Sequence, residues 1–239
     1  YFQLSRGNVL VELKTLLKEA AVSSAVFATL EKKGYFETYT LAKDRIQFDA
    51  AFKDEVVFSE DQDKTHQTIK EHFTTFDVSL LKGVTGSGKT EIYIQLIKEC
   101  LQNGKQLLFL VPEIGLTTQL VQRLTHYFGN KVAVYNSKYS ENERVEVYNH
   151  VLNMHENAQI VIGSRSSIFL PFKNLGLIIV DEEHEATYKQ IDPAPRFHAR
   201  DAVVVLAKMH EAKVLLGSAT PSLESYYNAY QNKFGLINL

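Results

Sequence analysis

Gly83-Val84-Thr85-Gly86-Ser87-Gly88-Lys89-Thr90 decides how the rest of this 239-residue chain is read. An apolar run at Val78–Leu81 leads into it, and Glu91–Gln102 leads out with Ile92, Leu96, Ile97 and Cys100 about one helical face apart. The stretch therefore predicts a strand, a tight glycine-rich loop and a helix. It fits the spacing G-x-x-x-x-G-K-[ST], in which glycines let backbone N–H groups converge on an anion and the helix N-terminus adds positive dipole. Read this way, residues 83–90 cradle nucleotide phosphates, with Lys89 reaching the outer phosphates and the Thr90 hydroxyl on Mg²⁺. The competing reading is a glycine-rich turn that fits the pattern by chance. The strand before and the helix after favour the phosphate site.

The 26 Lys and Arg against 28 Asp and Glu leave the chain nearly neutral, so any DNA-binding surface has to be a local patch. Its length allows one large or two ordinary domains. The one cysteine, Cys100, excludes an internal disulfide framework or a multi-cysteine zinc module within this sequence. Its place on the inward helix face predicts a buried structural thiol. No apolar stretch approaches the roughly 20 residues that span a bilayer, and no signal-peptide pattern opens the chain. A cytoplasmic setting with no membrane partner is expected. Tyr1-Phe2-Gln3 resembles the end of a cleavable tag and is set aside from fold reasoning.

Before the glycine-rich stretch, Val9–Ala20 carries an apolar stripe at helical spacing. Ser23–Lys33 reads as a second helix, stopped by Gly34. Short β-prone runs follow at Tyr35–Leu41 and Ile46–Phe48. Two helices and a hairpin suggest a small winged-helix domain over residues 4–55, with Ala50–Glu60 as a linker. Acidic and basic residues balance there. Lys14, Lys18, Lys32, Lys33, Lys43 and Arg45 form either a DNA-facing patch or solvated faces, and a packing or docking role is favoured.

From residue 61 the pattern alternates. Strands are predicted at 78–83, 106–111, 132–136, 159–163, 177–181 and 213–217, and helices near 62–73, 89–102, 116–128, 141–154, 198–211 and 221–231. That order argues for an α/β fold with a mostly parallel sheet covered by helices on both faces. Ser140 with Glu143 predicts a capping box, and Thr220-Pro221 a cap followed by a first-turn proline.

Ligands of such folds gather at the C-terminal strand ends, and the suggestive residues fall there. Leu177–Val180 runs into Asp181-Glu182-Glu183-His184. Asp181 is placed to hold Mg²⁺ opposite the phosphate loop, and Glu182 to deprotonate an attacking water. Taken alone, a solvated acidic loop would be the simpler reading, and the coupling to residues 83–90 reverses that. Pro112–Thr117, Gly163–Ser167 and Gly217–Thr220 place hydroxyls and open N–H groups at three more strand ends, a surface suited to phosphates although common in turns. Tyr188–Arg200 holds Tyr188 and Phe197 among Lys189, Arg196, His198 and Arg200. Aromatics between cations suit stacking on single-stranded nucleic acid, and a packed crossover loop is the alternative.

Gly-Val-Thr-Gly-Ser-Gly-Lys-Thr-Glu-Ile-Tyr, Val-Pro-Glu-Ile-Gly-Leu-Thr, Gly-Ser-Arg-Ser-Ser, Asp-Glu-Glu-His and Gly-Ser-Ala-Thr-Pro-Ser occur in the order of superfamily-2 DEXH helicase motifs. The chain resembles that group, and within it the bacterial replication-restart helicases, over nearly its whole length. The resemblance implies a RecA-like P-loop lobe over 56–239 that binds ATP and Mg²⁺. Gly83, Val84, Thr85, Gly86, Ser87, Gly88, Lys89 and Thr90 would form the nucleotide loop, and Gln62 the adenine contact. Asp181 and Glu182 would be the acids of hydrolysis. Thr117 and Arg165 would track DNA, while His184, Ser218 and Thr220 would couple hydrolysis to it. Tyr188, Lys189, Arg196, Phe197, His198 and Arg200 would sense single-stranded DNA.

The family unwinds DNA 3′ to 5′ at stalled forks, binding forked and single-stranded DNA, primosome proteins and single-strand-binding protein. Ser164 and Phe197 stand where threonine and tyrosine are common. The family's N-terminal fork-binding domain, its cysteine-rich zinc module and its second RecA-like lobe do not occur in this sequence, so zinc is expected only in that module. The second lobe supplies an arginine finger worth roughly 10³–10⁵ in rate in related phosphoryl transfer. The chain alone is therefore expected to bind nucleotide weakly and hydrolyse it poorly. Two rival readings are a P-loop kinase or simple NTPase, and a docking module with a vestigial loop. Asp181–His184 and Ser218–Thr220 disfavour the first, and intact Lys89, Thr90, Asp181 and Glu182 disfavour the second.

Overall fold

Every residue of Gln106–Leu110 is buried. A strand sends alternate side chains to opposite faces, so both faces of its sheet must be covered. The structure, a computed structural model, describes residues 13–35, 56–113, 118–136 and 139–239. The chain divides into two compact units, Tyr1–Lys43 and Asp44–Leu239. In the first, helices α1 (Leu13–Glu19) and α2 (Ser24–Lys32) form where an apolar stripe and a serine start predict them. Ser23 is the N-cap of α2, and Gly34 follows its C-cap in the left-handed region at φ 75°. The predicted hairpin, residues 1–3 and most of the predicted linker lie outside the described residues.

The second unit is built on a seven-stranded sheet of order β3-β4-β2-β5-β8-β1-β9. Its strands are β1 (Val78–Lys82), β2 (Gln106–Leu110), β3 (Val132–Tyr135), β4 (Ile160–Gly163), β5 (Leu175–Val180), β8 (Lys213–Ser218) and β9 (Gly235–Asn238), all paired in parallel. A two-residue antiparallel pair, β6 (Lys189–Gln190) and β7 (Phe197–His198), stands apart from it. Leu107, Phe109, Ile160, Ile162, Leu177, Ile179 and Leu215 face one core, against α3 (Glu60–Thr75), α4 (Lys89–Gln102) and α5 (Thr118–Phe128). Leu108, Leu110, Val161, Ile178, Val180, Val214 and Leu216 face the other, against α6 (Glu141–Leu152), α7 (Ala199–His210) and α8 (Leu223–Tyr230). Burying one such side chain stabilises the fold by about 1.5–3 kcal/mol.

The six predicted strands and all six predicted helices of this unit form. Ser140 and Glu143 make the reciprocal capping box, and Ser59 with Gln62 makes another at the start of α3. At Pro221 the helix expectation is corrected. Helix α8 starts at Leu223, with Ser222 as the N-cap whose side chain accepts from Ser225 N–H, so Pro221 precedes the cap. Strand β9 has four residues and too little alternation to be read from sequence. Cys100 is buried, and that burial pushes its thiol up to about 12. Among the described residues, no helix is long and apolar enough to cross a membrane.

Candidate functional site

Strand β8 lies between β1 and β5. The loop after β1, the acids after β5 and the serine ending β8 therefore converge at one end of the sheet. Gly83 N–H donates to Ser218 O (3.0 Å) and Glu183 N–H to Gly217 O (3.0 Å), extending these pairings past the strands. A cleft of about 500 Å³ opens there, lined by Val57, Gln62, Thr85–Glu91, Arg123, Asp181 and Glu182. Arg123 of α5 pairs with Glu91 of α4 at its edge.

Gly88 caps α4 at φ 90°, without a side-chain bond to the open N–H groups of the first turn. Those N–H groups and the helix dipole suit an anion. A Cβ at Gly88 would lie 2.0 Å from Gln62 Nε2, the end of a side chain free to swing aside, so it is the left-handed φ that demands glycine. Lys89 is buried, its Nζ donating to Gly83 O (2.8 Å) and Val84 O (3.2 Å) across its own loop. Ser87 Oγ is buried without a protein partner. An unpaired hydroxyl, a buried ammonium and a helix N-terminus facing two carboxylates fit a magnesium–nucleotide complex. Gln62 lines the same cleft, its Oε1 accepting from Ser59 N–H (2.8 Å) and its Nε2 reaching Gly88 O (3.5 Å).

Asp181 N–H donates to Leu110 O (3.0 Å), continuing the β5–β2 pairing. Its Oδ1 accepts from the Tyr93 hydroxyl (3.0 Å) and its carbonyl from the Tyr188 hydroxyl (2.6 Å). Burial, then the charge of Glu182, holds the Asp181 carboxyl above its usual range, against the pull of Tyr93 and Lys89. Burial and the neighbouring carboxylates push both phenols well above their ordinary value, which keeps them protonated donors. Glu182 takes a left-handed backbone, φ 48°, costing roughly 1–2 kcal/mol for a residue with a Cβ. That turn separates adjacent acids. Glu182 lines the cleft while Glu183, fully buried, points into the protein.

His184 Nδ1 lies 2.8 Å from Ser218 Oγ and 3.7 Å from Glu182 Oε2. Ser218 Oγ also accepts from Thr220 N–H (3.0 Å). The three residues expected to couple are thus in one hydrogen-bonded chain. Arg165, on the turn after β4, donates to Thr187 O (3.2 Å) and lies 3.6 Å from Glu113. Thr117 lies outside the described residues.

The loop expected over 188–200 is the β6–β7 hairpin, and two of its expected DNA contacts are corrected. Tyr188 is 1% exposed, its hydroxyl spent on Asp181 O and Leu110 O (3.2 Å), so it packs the core and offers no ring to a base. Arg200 is buried, with its Nη1 on Glu183 (3.2 Å) and Ser222 Oγ (2.6 Å) and its Nε on Asp201 (2.9 Å). Phe197 is half-buried, edge-on to the exposed Phe169 at 5.1 Å. His198 is half-buried and shifted below its ordinary value, first by burial and then by Arg200. Lys189 and Arg196 are exposed.

Sequence reasoning gave no role to Tyr93, and none to Gly217 and Glu183 beyond their place in the strand-end runs. Tyr93 stands one helical turn after Lys89, the spacing that shares a face, which was the available signal. Nothing in a run of three acids marks Glu183.

Residues 27–223 match the family described as Type III restriction enzyme, res subunit. The chain belongs to that family. Replication restart protein PriA of Bacillus subtilis (strain 168) is 41% identical over 241 residues, covering 97% of this chain and 29% of that protein. PriA of Synechocystis sp. (strain ATCC 27184 / PCC 6803 / Kazusa) is 51% identical over 154 residues, 64% of this chain and 18% of the relative. The chain thus spans less than a third of these relatives. A solved structure of RecG bound to a three-way DNA junction superposes with TM-score 0.55 at 22% identity, over 90% of this chain and 25% of that one. That likeness, with the parallel sheet and its strand order, shows a RecA-like fold.

Proposed function

We propose that the chain is the ATP-binding motor lobe of a replication-restart DNA helicase that unwinds DNA 3′ to 5′. The observation that supports this best is the meeting of Lys89, Thr90, Asp181 and Glu182 around one cleft. Residues 83–88 cradle the phosphates through backbone N–H groups, and Lys89 exchanges the carbonyls of Gly83 and Val84 for phosphate oxygens. Thr90 and Asp181 hold Mg²⁺, which when bound neutralises charge on the phosphates. Glu182 takes the proton of the attacking water, and Gln62 contacts the base.

The chain His184–Ser218–Thr220 passes the state of the acids to the end of β8. Arg165, Thr117, Lys189, Arg196, Phe197 and His198 serve the DNA side, while Tyr188 and Arg200 brace it from within. Forked and single-stranded DNA, primosome proteins and single-strand-binding protein are the proposed partners, in the cytoplasm. Residues 4–55 are the proposed winged-helix domain and 56–239 the lobe. Zinc belongs only to a cysteine-rich module elsewhere in a whole-length protein.

The test measures ATP hydrolysis with and without forked DNA, by the chain and by a whole-length protein carrying it. Little turnover is expected from the chain, and DNA-stimulated turnover from the longer protein that Lys89→Ala or Glu182→Gln abolishes. Full stimulation surviving either substitution would refute the assignment.

A further inference from the structure

Tyr93 has no role in the assignments above, yet it is the side chain that holds the Asp181 carboxylate. It is 1% exposed, and its ring packs edge-on against Phe109 at 5.6 Å. Its hydroxyl reaches Asp181 Oδ1 at 3.0 Å. That reach depends on a third element. A Cβ at Gly217, in β8 between the two strands that carry the site, would lie 1.8 Å from the Tyr93 hydroxyl and 3.0 Å from its Cζ. Gly217 does not need glycine for its backbone, because its φ is not in the left-handed region. The bare position serves the space that the phenol occupies. Phosphate-loop helix, acid and β8 thus meet at one hydrogen bond.

We propose that Tyr93 is a positioning residue for Mg²⁺, admitted by Gly217: its O–H fixes the rotation of the Asp181 carboxylate before the ion arrives. The proposal rests on the reading of Asp181 as a Mg²⁺ ligand. A donor behind a ligating carboxylate sets ligand orientation, and removing such a partner typically weakens metal affinity about 10–100-fold. A purely structural phenol would affect stability and leave the metal response unchanged.

The experiment titrates the chain with a fluorescent ADP analogue carrying an N-methylanthraniloyl label, first without metal and then at increasing Mg²⁺. In the wild type, Mg²⁺ is expected to tighten binding, and Asp181→Asn to remove most of that gain. Tyr93→Phe is expected to keep the metal-free affinity while raising the Mg²⁺ concentration for half the effect about 10-fold or more. Gly217→Ala should do the same in the wild type and add little in the Tyr93→Phe background, since both remove one contact. If Asp181→Asn responds to Mg²⁺ like the wild type, or the wild type shows no response, the reading of Asp181 falls and the proposal with it. If Asp181→Asn loses the response while Tyr93→Phe keeps it, only the positioning role is overturned.

Discussion

Replacing Glu183 by alanine should unfold this protein more readily while leaving the cleft-lining side chains unaltered in kind. The carboxylate is fully buried and accepts from Arg200 Nη1 (3.2 Å), Ser222 N–H (2.7 Å), Ser222 Oγ (2.9 Å) and Ser225 Oγ (2.8 Å). Removing one partner of a buried ion pair costs roughly 3–5 kcal/mol, because the other charge is left uncompensated. Arg200 retains Asp201 at 2.9 Å, which places the expected loss at the low end, about 3 kcal/mol. For a unit of this size each kcal/mol moves Tm by about 2–4 °C, so a drop of about 6–12 °C is expected. Thermal unfolding followed by circular dichroism measures it. Glu182→Ala is the control. Its side chain is 36% exposed, so substitution should stay within about 0.5 kcal/mol, apart from a small gain or loss at its left-handed backbone. Replacing Glu183 and Arg200 together by methionine should cost less than the sum of the single changes. A Glu183→Ala protein melting within about 2 °C of the wild type would refute the reasoning.

Two further outcomes follow from other buried groups. Burial lowers the His66 imidazole from 6.5 even though Glu99 lies 3.0 Å away and pulls the other way, so desolvation outweighs the carboxylate. The unfolded chain then takes up that proton first on acidification, and stability is full above about pH 6.5 and falls as pH drops below it. His66→Asn should show a shallower loss of Tm between about pH 7 and 5.5, and parallel curves would count against this. Tyr188→Phe leaves the Asp181 carbonyl without its 2.6 Å donor and should cost about 1–3 kcal/mol in urea unfolding. Because the ring is enclosed, a loss of single-stranded DNA affinity with unchanged stability would contradict the placement of Tyr188 in the core.

The parts of this fold legible in the sequence are those with strong period and punctuation. The strand at Val78, the glycine-rich turn and α4 were readable because apolar period, glycine spacing and the lysine coincide within one short stretch. Asp181 was readable from its place after a continuous apolar run. What could not be read is where side chains turn after the backbone leaves a strand. Glu182 and Glu183 are chemically equal in sequence, and only the left-handed turn at 182 separates a cleft acid from a core acid. The hairpin misled for a related reason. Tyr188 among cations has the composition of a stacking loop, but its hydroxyl supplies a donor that Asp181 O needs, and a buried carbonyl outranks composition. The expected start at Pro221 lies two positions too early, because Ser222 caps better than Thr220 from where it stands.

The proposed contact of Gln62 with a base would draw on an amide already in use. Its oxygen accepts from the Ser59 N–H that starts α3, and its nitrogen reaches Gly88 O at 3.5 Å. The oxygen keeps a second lone pair and the nitrogen a second hydrogen. A base met by the amide where it stands would share these bonds, whereas a base that turned the amide would cost half of the helix cap. Base contact at Gln62 would thus be tied to the first turn of α3.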